Sequence, residues 1–307
     1  MSAAATLPPG ITVLERGWLS SNNVLFDEGH SVSVVDTGYG THAEQTVALI
    51  RHAARGKPLT RIVNTHLHSD HVGGNAALRA AFDAQVLIPP GLAEAVCRWD
   101  EEALSYAPTG QYCPRFAYDA LLAPGQMLRL GTLDWLAVAA PGHDPHMVVL
   151  YNDDERILLS ADALWENGFG AIFPELEGES GFTEQRAVLE WIAQTRPRLV
   201  IPGHGAPFTD VEAALARAFS RLEALAADPE RNARHVARVL VKFWLLQVRE
   251  TTLPALLAHL VPTRYVKLIH ARYFPTQTPS ALLERALMEL VASGAAERRG
   301  ERVIDRG

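Results

Sequence analysis

The sequence predicts a layered fold of mixed α and β structure, because two patterns succeed one another along most of the chain. Between residues 11 and 36, β-branched and apolar runs are separated by Gly, Asn and Asp. From residue 42 onward, apolar strands alternate with segments of helical spacing. A β-meander that gives way to alternating strands and helices is typical of packed α and β layers rather than of a pure barrel.

Composition and length bound the possible classes of protein. With 307 residues, of which 48% are hydrophobic and 21% charged, the chain can bury a sizeable core. It has no apolar run near the roughly 18 residues of a membrane span, and Met1–Gly10 lacks the basic start and apolar core of a signal peptide. We therefore expect a cytoplasmic protein that does not enter a membrane, with Cys97 and Cys113 as free thiols.

The first half of the chain is predicted to begin with strands and to continue with alternating helices and strands. Strands are expected over 11–15, 23–26, 31–35, 59–63 and 85–88, and helices over 42–54 and 74–82. Residues 91–125 are less regular and hold several aromatic residues among Pro and Gly. The aromatic residues of such a segment are expected either to line the entrance of a substrate pocket or to pack a long loop against the rest of the domain.

The second half returns to strands and ends in helices. Strands are expected over 127–130, 133–139, 147–151, 156–159 and 198–201, and helices over 183–195, 210–226, 229–250, 252–260 and 280–293. Residues 295–304 are polar with a central Gly and are predicted to form a small β-wing.

One stretch, residues 64–74, carries an unusual density of metal-binding side chains. It reads NTHLHSDHVGG and places His66, His68, Asp70 and His71 within six residues. A packed core has no use for four such groups together, whereas imidazole and carboxylate suit zinc and related ions. In an extended segment His66, His68 and Asp70 would point to one side and His71 to the other, so the cluster could face two metal ions. The two glycines are expected to let the backbone turn sharply into a helix.

Three further candidates follow the ends of predicted strands. His143 and His204 each come directly after a Pro-Gly pair, and Asp162 comes after Ser-Ala. Rigid strand ends aim side chains better than mobile loops do. Three such strand ends downstream of the histidine cluster therefore strengthen the prediction of a metal site.

Taken together, these residues resemble the metallo-β-lactamase-fold hydrolase superfamily over most of residues 11–210. The resemblance implies a four-layer αββα sandwich, with the metals at one edge of two packed sheets. It also implies a ligand set for two metals: His66, His68 and His143 for the first, Asp70, His71 and His204 for the second, and Asp162 as the bridge.

The chemistry of such a site fits hydrolysis. Two divalent ions can share a water, lower its pKa toward neutrality and polarise the scissile carbonyl or phosphoryl oxygen. Asp70 is expected to orient the bridging hydroxide and to take its proton. Zinc is the expected metal, although His/Asp sites also accept manganese or iron. Asp36, Asp144 and Thr65 are candidates for the outer partners that ligating imidazoles need, and the sequence does not choose between them.

Departures from named subfamilies limit the substrate. The resemblance to hydroxyacylglutathione hydrolases (glyoxalase II) stops at the metal site, because no Cys-Gly-Arg follows Asp162. Iron oxygen-reducing relatives usually carry Glu at the position of His68, so hydrolysis is favoured. We expect a small-molecule substrate, namely an ester, thioester or lactone. The predicted pocket residues are Trp165, Phe169, Phe173, Tyr112 and His146, with His146 either a proton donor or an ordinary histidine.

The last 80 residues are predicted to form a separate helical module, which gives domains at 1–227 and 228–307. Helices followed by a wing resemble the winged-helix appendage of a lactamase-like branch of the superfamily that includes an endoribonuclease. Arg298, Arg299 and Arg302 could contact phosphates, but acidic residues interleave with them and argue against nucleic-acid binding. Packing or a homodimer contact is the expected role.

Two alternative functions remain at this stage. One is a metal-dependent phosphodiesterase or endoribonuclease, which the acidic body of the chain disfavours because it would repel a polyanion. The other is a non-enzymatic, metal-responsive regulator that uses the winged helix on DNA. A sensor needs neither a bridging carboxylate nor open metal positions, so the full ligand set argues against it.

Overall fold

The computed structural model of the protein describes residues 6–306, so the prediction for Met1–Gly10 lies partly outside the described residues. The strands are β1 (Ile11–Leu14), β2 (Asn23–Asp27), β3 (Val32–Val35), β4 (Leu59–Val63), β5 (Gln85–Ile88), β6 (Ala120–Leu121), β7 (Met127–Leu130), β8 (Leu133–Ala139), β9 (Val148–Asn152), β10 (Ile157–Ala161), β11 (Leu199–Pro202), β12 (Glu250–Thr252), β13 (Ala296–Arg299) and β14 (Arg302–Asp305). The helices are α1 (Ala43–Ala53), α2 (Ser69–Val72), α3 (Asn75–Phe82), α4 (Ala93–Arg98), α5 (Tyr106–Thr109), α6 (Pro174–Glu177), α7 (Phe182–Thr195), α8 (Val211–Ala227), α9 (Pro229–Val248), α10 (Leu253–Leu260), α11 (Arg264–Tyr273) and α12 (Pro279–Ala292), with a 3₁₀ turn at Gly40–His42. Among the described residues, no helix is both long and apolar enough to cross a bilayer.

Two sheets form the body of the molecule. The first has the order β1-β2-β3-β4-β5-β6 and the second the order β11-β10-β9-β8-β7. In the first, the β1-β2-β3 meander is antiparallel and the remaining pairs are parallel. In the second, β10 and β11 run parallel while the other pairs are antiparallel.

Successive side chains along each strand point to opposite faces of the sheets, and they form three apolar layers: one between the sheets and one on the outer face of each. Val34 and Ile62 face a core that α1 and α3 cover, whereas their neighbours Val35 and Val63 face the core between the sheets. The ring of Trp135 in β8 meets that of Phe26 in β2 edge to face, with centroids 5.5 Å apart. Helices α7 and α8 cover the other face of the second sheet. The predicted four-layer αββα arrangement is confirmed.

The sheet edge that faces the candidate site is where several strands end. Strands β3 and β4 are parallel neighbours, so Asp36 and the histidine cluster leave the first sheet at the same edge. In the second sheet, β8, β10 and β11 run in one direction, because β9 is antiparallel to both β8 and β10. His143, Asp162 and His204 follow these three strands and therefore share that edge.

The C-terminal part continues directly from α8. Asp228 separates α8 from α9 and accepts a hydrogen bond from the Arg231 backbone at the start of α9. Helices α9 to α12 enclose an apolar core of their own, and β12, β14 and β13 form a small antiparallel sheet beside them. The predicted C-terminal helical region is therefore present, while its winged-helix identity stays a prediction.

Residues 91–125 contain only the short elements α4, α5 and β6, in keeping with the prediction of a less regular segment. Two other local predictions need correction. Helix α11 has no counterpart among the elements predicted from the sequence. The segment after His68 is not extended, because α2 begins at Ser69.

Candidate metal centre

The seven side chains predicted as ligands lie together at the shared sheet edge. Potential ligand atoms lie within 4.8 Å of one another in three groups: His66, His68 and His143; His66, His71 and Asp162; and Asp70, His71 and His204. The first and third groups correspond to the two predicted ligand sets.

Helix α2 explains how one short stretch serves both groups. His66 and His68 precede the helix and reach the first group, while Asp70 and His71 sit on its turn and reach the second. Gly73 and Gly74 do not have positive φ values. Their small size matters instead, because a Cβ on Gly73 would lie 2.2 Å from the Gly40 nitrogen.

The three candidate outer partners each lie beside a different imidazole. Asp36 Oδ2 lies 2.7 Å from His71 Nδ1. Thr65 Oγ1 donates to Asp36 Oδ2 at 2.7 Å and lies 3.1 Å from His66 Nδ1. Asp144 Oδ2 lies 3.5 Å from Nε2 of His68. Asp36 and Thr65 thus bind imidazoles directly, whereas Asp144 lies near His68 without a hydrogen bond to it.

A further acceptor serves the histidine of the second sheet. His143 Nδ1 donates to the backbone oxygen of Ala171 at 2.6 Å. For neutral imidazoles, donation from the outer nitrogen leaves a lone pair on the inner one. His143 Nε2 therefore presents a lone pair to His68 Nδ1, 2.8 Å away. In one tautomer of His68 this nitrogen donates to His143, and in the other both nitrogens are free to bind a cation.

Unpartnered buried atoms support the same conclusion. His66 Nε2 and His71 Nε2 are buried and have no hydrogen-bond partner. Buried polar atoms without partners are rare and costly. Because these nitrogens converge with those of His68 and His143, the residues fit divalent metal ions with nitrogen and oxygen ligands.

Asp162 lies between the two groups. Its Oδ2 is 3.4 Å from His143 Nε2, and its Oδ1 is 3.5 Å from His71 Nε2 and 3.9 Å from His204 Nε2. One oxygen thus faces each group, as a bridging carboxylate requires. Asp70 Oδ2 is 3.1 Å from His204 Nε2, which places this carboxylate on the side of the second group.

Burial and mutual charge set the proton affinities of the ligand-free site. Burial lowers the pKa of His66 well below its ordinary value and that of His143 to about 4. Burial also acts against a charged His71, but Asp162, Asp36 and Asp70 outweigh it and raise the pKa of His71 well above its ordinary value. Metal binding at this site would therefore release a proton from His71.

Two tryptophans flank His204, and the sequence pointed to only one of them. The Trp165 ring meets the imidazole edge-on at 5.4 Å, and its Nε1 donates to Asp162 Oδ1 at 3.2 Å. Trp18, 54% exposed, stacks nearly parallel on His204 at 5.6 Å. An isolated aromatic residue before β2 gives no signal of this role in the sequence.

A cavity of about 450 Å³ opens beside the centre. Trp165 and Phe173 line it as predicted. Phe169 does not, because it is fully buried in the core of the second sheet. Tyr112 is also not a lining residue but an exposed one beside Gly40. His146 lies instead on a neighbouring cavity of about 200 Å³.

Comparison with known proteins places most of the chain in one family. A family model described as the metallo-beta-lactamase superfamily matches residues 16–204. A hydroxyacylglutathione hydrolase from Nitrobacter winogradskyi is 30% identical over 118 residues, covering 38% of this chain and 39% of that protein. One from Methylobacillus flagellatus is 33% identical over 156 residues, covering 51% and 52%. The chain thus spans about half or less of the length of these curated relatives.

Solved structures share the fold over almost the whole chain. A beta-lactamase domain protein from Burkholderia ambifaria has a TM-score of 0.58 at 20% identity and covers 99% of this chain and 96% of its own. A metallo-beta-lactamase family protein from Thermus thermophilus has a TM-score of 0.51 at 24% identity, covering 98% and 100%. A third protein, solved in a di-iron-bound form, has a TM-score of 0.53 at 25% identity and covers 67% and 98%.

Proposed function

The chain belongs to the metallo-beta-lactamase superfamily. From this premise we propose that it is a metal-dependent hydrolase that uses two divalent metals to cleave a small ester, thioester or lactone. The observation that carries the proposal is the set of buried, inward-facing nitrogens without partners, beside an open cavity. The proposed ligands are His66, His68 and His143 for one metal, Asp70, His71 and His204 for the other, and Asp162 between them.

The protein's own residues account for orientation and proton transfer. Bound divalent ions supply positive charge that polarises the scissile carbonyl and favours deprotonation of water. Asp70 lines the cavity, so its carboxylate can accept the proton of the attacking water. When the carbon–sulfur or carbon–oxygen bond breaks, the same carboxylate can return that proton to the leaving group. Trp18 and Trp165 shield His204 on two sides.

Thioester cleavage is supported by the names of the curated relatives, which are hydroxyacylglutathione hydrolases. Glutathione itself is not the proposed leaving group, because the segment after Asp162 reads Ala-Leu-Trp and lacks Cys-Gly-Arg. Zinc is the proposed metal and the cytoplasm the proposed compartment. Iron is the alternative metal, because one structural relative was solved in a di-iron-bound form.

A phosphodiesterase stands second, because cationic side chains line part of the same cavity, among them Arg221 and Arg238. Nucleic-acid binding through the C-terminal wing has less support. Arg299 is paired with Glu297 and Arg302 with Glu250, and Arg298 Nε donates to the Gly300 oxygen at 3.0 Å. The arginine side chains that would have to contact a phosphate backbone therefore already have partners within the protein.

One panel of substrates tests the proposal. The protein, reconstituted separately with zinc, manganese and iron, is assayed on thioesters, lactones, a phosphodiester reporter and RNA. We expect turnover of thioesters or lactones and a loss of about 100-fold or more in kcat for Asp70→Asn. Asp83→Asn is the matched control, because Asp83 is exposed at the end of α3 and has a φ of 55° that Asn tolerates. Turnover of the phosphodiester without that of any ester would overturn the first choice.

A further inference from the structure

A second set of polar residues lines the cavity that contains the metal centre. Arg221 comes from α8, and His235, Arg238 and Lys242 come from successive turns of α9. Two of the cations have carboxylate partners outside the cavity lining: Arg238 Nη1 lies 2.7 Å from Glu289 Oε2, and Lys242 is bonded to Asp305. These charges are balanced within the protein.

Arg221 differs from its neighbours. Its Nη2 donates to His235 Nε2 at 2.9 Å, and its guanidinium carbon lies 4.9 Å from the centroid of the Phe169 ring. Within residues 6–306, this guanidinium contacts His235 and Phe169 and forms no ion pair with a carboxylate. A partly buried cation that faces a cavity without an anion is costly unless a ligand supplies the counter-charge.

His235 holds Arg221 in this orientation. Burial, together with the charges of Arg221 and Arg238, lowers the pKa of His235 to about 3. The imidazole is therefore neutral at physiological pH, and its Nε2 serves as an acceptor. A neutral acceptor fixes the guanidinium without cancelling its charge, which leaves the charge available to a ligand.

Two glycines relate Arg221 to the metal centre. A Cβ on Gly168 would lie 2.5 Å from Arg221 Nη1, and a Cβ on Gly170 would lie 2.4 Å from His143 Nδ1. Since two residues span at most about 7 Å, the guanidinium and the His143 imidazole lie no more than roughly 12 Å apart. Apolar side chains, including Phe173, Val239 and Phe243, line the same cavity.

We propose that Arg221 is the specificity-determining cation of this cavity and that the substrate carries a carboxylate or phosphate within roughly 12 Å of the scissile carbonyl. The inference rests on the proposed ester or thioester hydrolysis and adds the charge and length of the substrate. An apolar chain joins the two ends of such a substrate, and the apolar wall accommodates it. Arg221 pairs with the anion through charge-assisted hydrogen bonds, while His235 acts as a positioning residue.

Substrates of matched shape test the charge and the length. Two series are compared on the zinc-loaded protein: p-nitrophenyl monoesters of dicarboxylic acids from succinate to sebacate, and the corresponding monocarboxylic esters of equal length. The same acyl chains ending in a phosphonate distinguish the two anions. We expect kcat/KM to favour the anionic series by about 10- to 100-fold, with a maximum at one chain length. Equal turnover of charged and neutral esters at every length would overturn the inference while leaving the proposed hydrolysis intact. No turnover of any ester would instead count against the proposed function.

Variants assign the effect to Arg221. Arg221→Met should lower kcat/KM for the preferred anionic ester by about 10- to 100-fold and leave the neutral ester within about twofold. Arg221→Lys should restore part of the preference, because it keeps the charge without the bidentate geometry. Arg234→Gln is the matched control, since Arg234 lies beside His235 in sequence but pairs with Asp228 and Glu230. If Arg221→Met kept the preference for anionic over neutral esters, Arg221 would not be the residue that determines it.

A binding measurement is independent of catalysis and of metal. Calorimetric titration of the metal-free protein with suberate should show binding that Arg221→Met weakens about tenfold or more and Arg234→Gln does not. Equal binding by wild type and Arg221→Met would contradict the proposal. If Arg221→Met fails to fold, the Arg221→Lys titration and the wild-type length series decide the question.

Discussion

His66, His143 and His71 are each held at the outer nitrogen by a different hydrogen-bond acceptor. Asp36 has the largest part in this arrangement, because it binds His71 Nδ1, the Thr65 hydroxyl and the Thr65 backbone nitrogen at 2.7, 2.7 and 2.9 Å. Through Thr65 it also orients His66. A single carboxylate that is not itself a proposed ligand thus fixes one imidazole of each predicted ligand set.

Asp36→Asn is therefore predicted to weaken metal binding without unfolding the protein. Asp36 has a φ of 56°, a conformation that Asn adopts readily, so backbone strain should not change. Loss of the charged acceptor should lower metal affinity by about 10- to 100-fold, measured by competition with a chromophoric chelator. Asp27→Asn is the control, because Asp27 forms an exposed ion pair with Lys57. Equal affinities in the two variants would show that Asp36 has no part in the site.

His235 gives a prediction on pH. Its folded-state pKa of about 3 lies below the roughly 6.5 of an unfolded histidine. As pH falls from 6.5 toward 3, the unfolded chain gains a proton that the folded protein does not, so stability falls. His235→Gln should remove a slope of up to about 1.4 kcal/mol per pH unit between pH 6 and 4. Urea unfolding of the metal-free protein measures it, with the exposed His30→Gln as control. If the free energies of unfolding of the wild type and of His235→Gln changed with pH in parallel, this prediction would be wrong.

For single residues, the sequence predicts the metal-binding side chains better than it predicts the residues that pack around them. His66, His68 and Asp70 could be recognised because their types and spacing have no other common use. Arg221 and Trp18 could not, because an arginine on a long helix and an isolated aromatic residue are ordinary on a surface. Their roles arise from packing between segments far apart in sequence.

Among the elements, strands with apolar alternation are predicted most accurately. The predictions for β4, β5, β7 and β8 agree with the structure at both ends, because their patterns are bounded by Gly, Pro or polar residues. Helix α11 escapes prediction because its composition is polar overall, although Tyr265, Val266 and Ile269 form a buried stripe along it. The sequence predicts an extended segment in place of α2 because four residues are too few to show a helical period.

The junction between α2 and α3 depends on close approach rather than on a sharp turn. Gly73→Ala would place a Cβ 2.2 Å from the Gly40 nitrogen and 2.7 Å from the Ser69 oxygen, both backbone atoms that cannot rotate away. We expect a loss of about 1–3 kcal/mol in the free energy of unfolding, or more, together with weaker metal binding because α2 carries Asp70 and His71. Denaturant unfolding and metal analysis measure the two effects.

Gly17→Ala is the matched control for this substitution. A Cβ on Gly17 meets nothing within 4 Å, and the residue has no positive φ. The free energy of unfolding of Gly17→Ala should lie within about 0.5 kcal/mol of that of the wild type. A Gly73→Ala protein as stable as Gly17→Ala would show that the packing of α2 against the 3₁₀ turn can relax.

At the scale of the whole molecule, the C-terminal part has an apolar core mostly of its own and completes the cavity. Apart from Ala171 and Leu176, the buried members of its apolar core lie between residues 233 and 303, which supports the proposed domain boundary at 227/228. It nevertheless contacts the body, since Tyr39 donates to Gln247 Oε1 at 2.7 Å and the rings of Phe173 and Tyr265 lie 5.0 Å apart. Residues 228–307 contain 13 Lys/Arg and 8 Asp/Glu, whereas the chain as a whole has a net charge of -7. Charge alone could not predict this placement, because such a basic tail can either dock on the acidic body or remain solvated.

A chain that ends at Ala227 should therefore keep the metals but lose selectivity. All seven proposed ligands precede that residue, so two metals per chain are still expected by elemental analysis. Loss of the contacts to Tyr39 and Phe173 should lower Tm by about 10 °C or more. Because His235 and much of the cavity wall would be missing, the preference for anionic over neutral esters should fall to about one. The full chain, reconstituted in parallel, is the control. A truncated chain that retains the preference would place the source of selectivity in the body alone, and one that binds no metal would show that the C-terminal part is needed to form the centre.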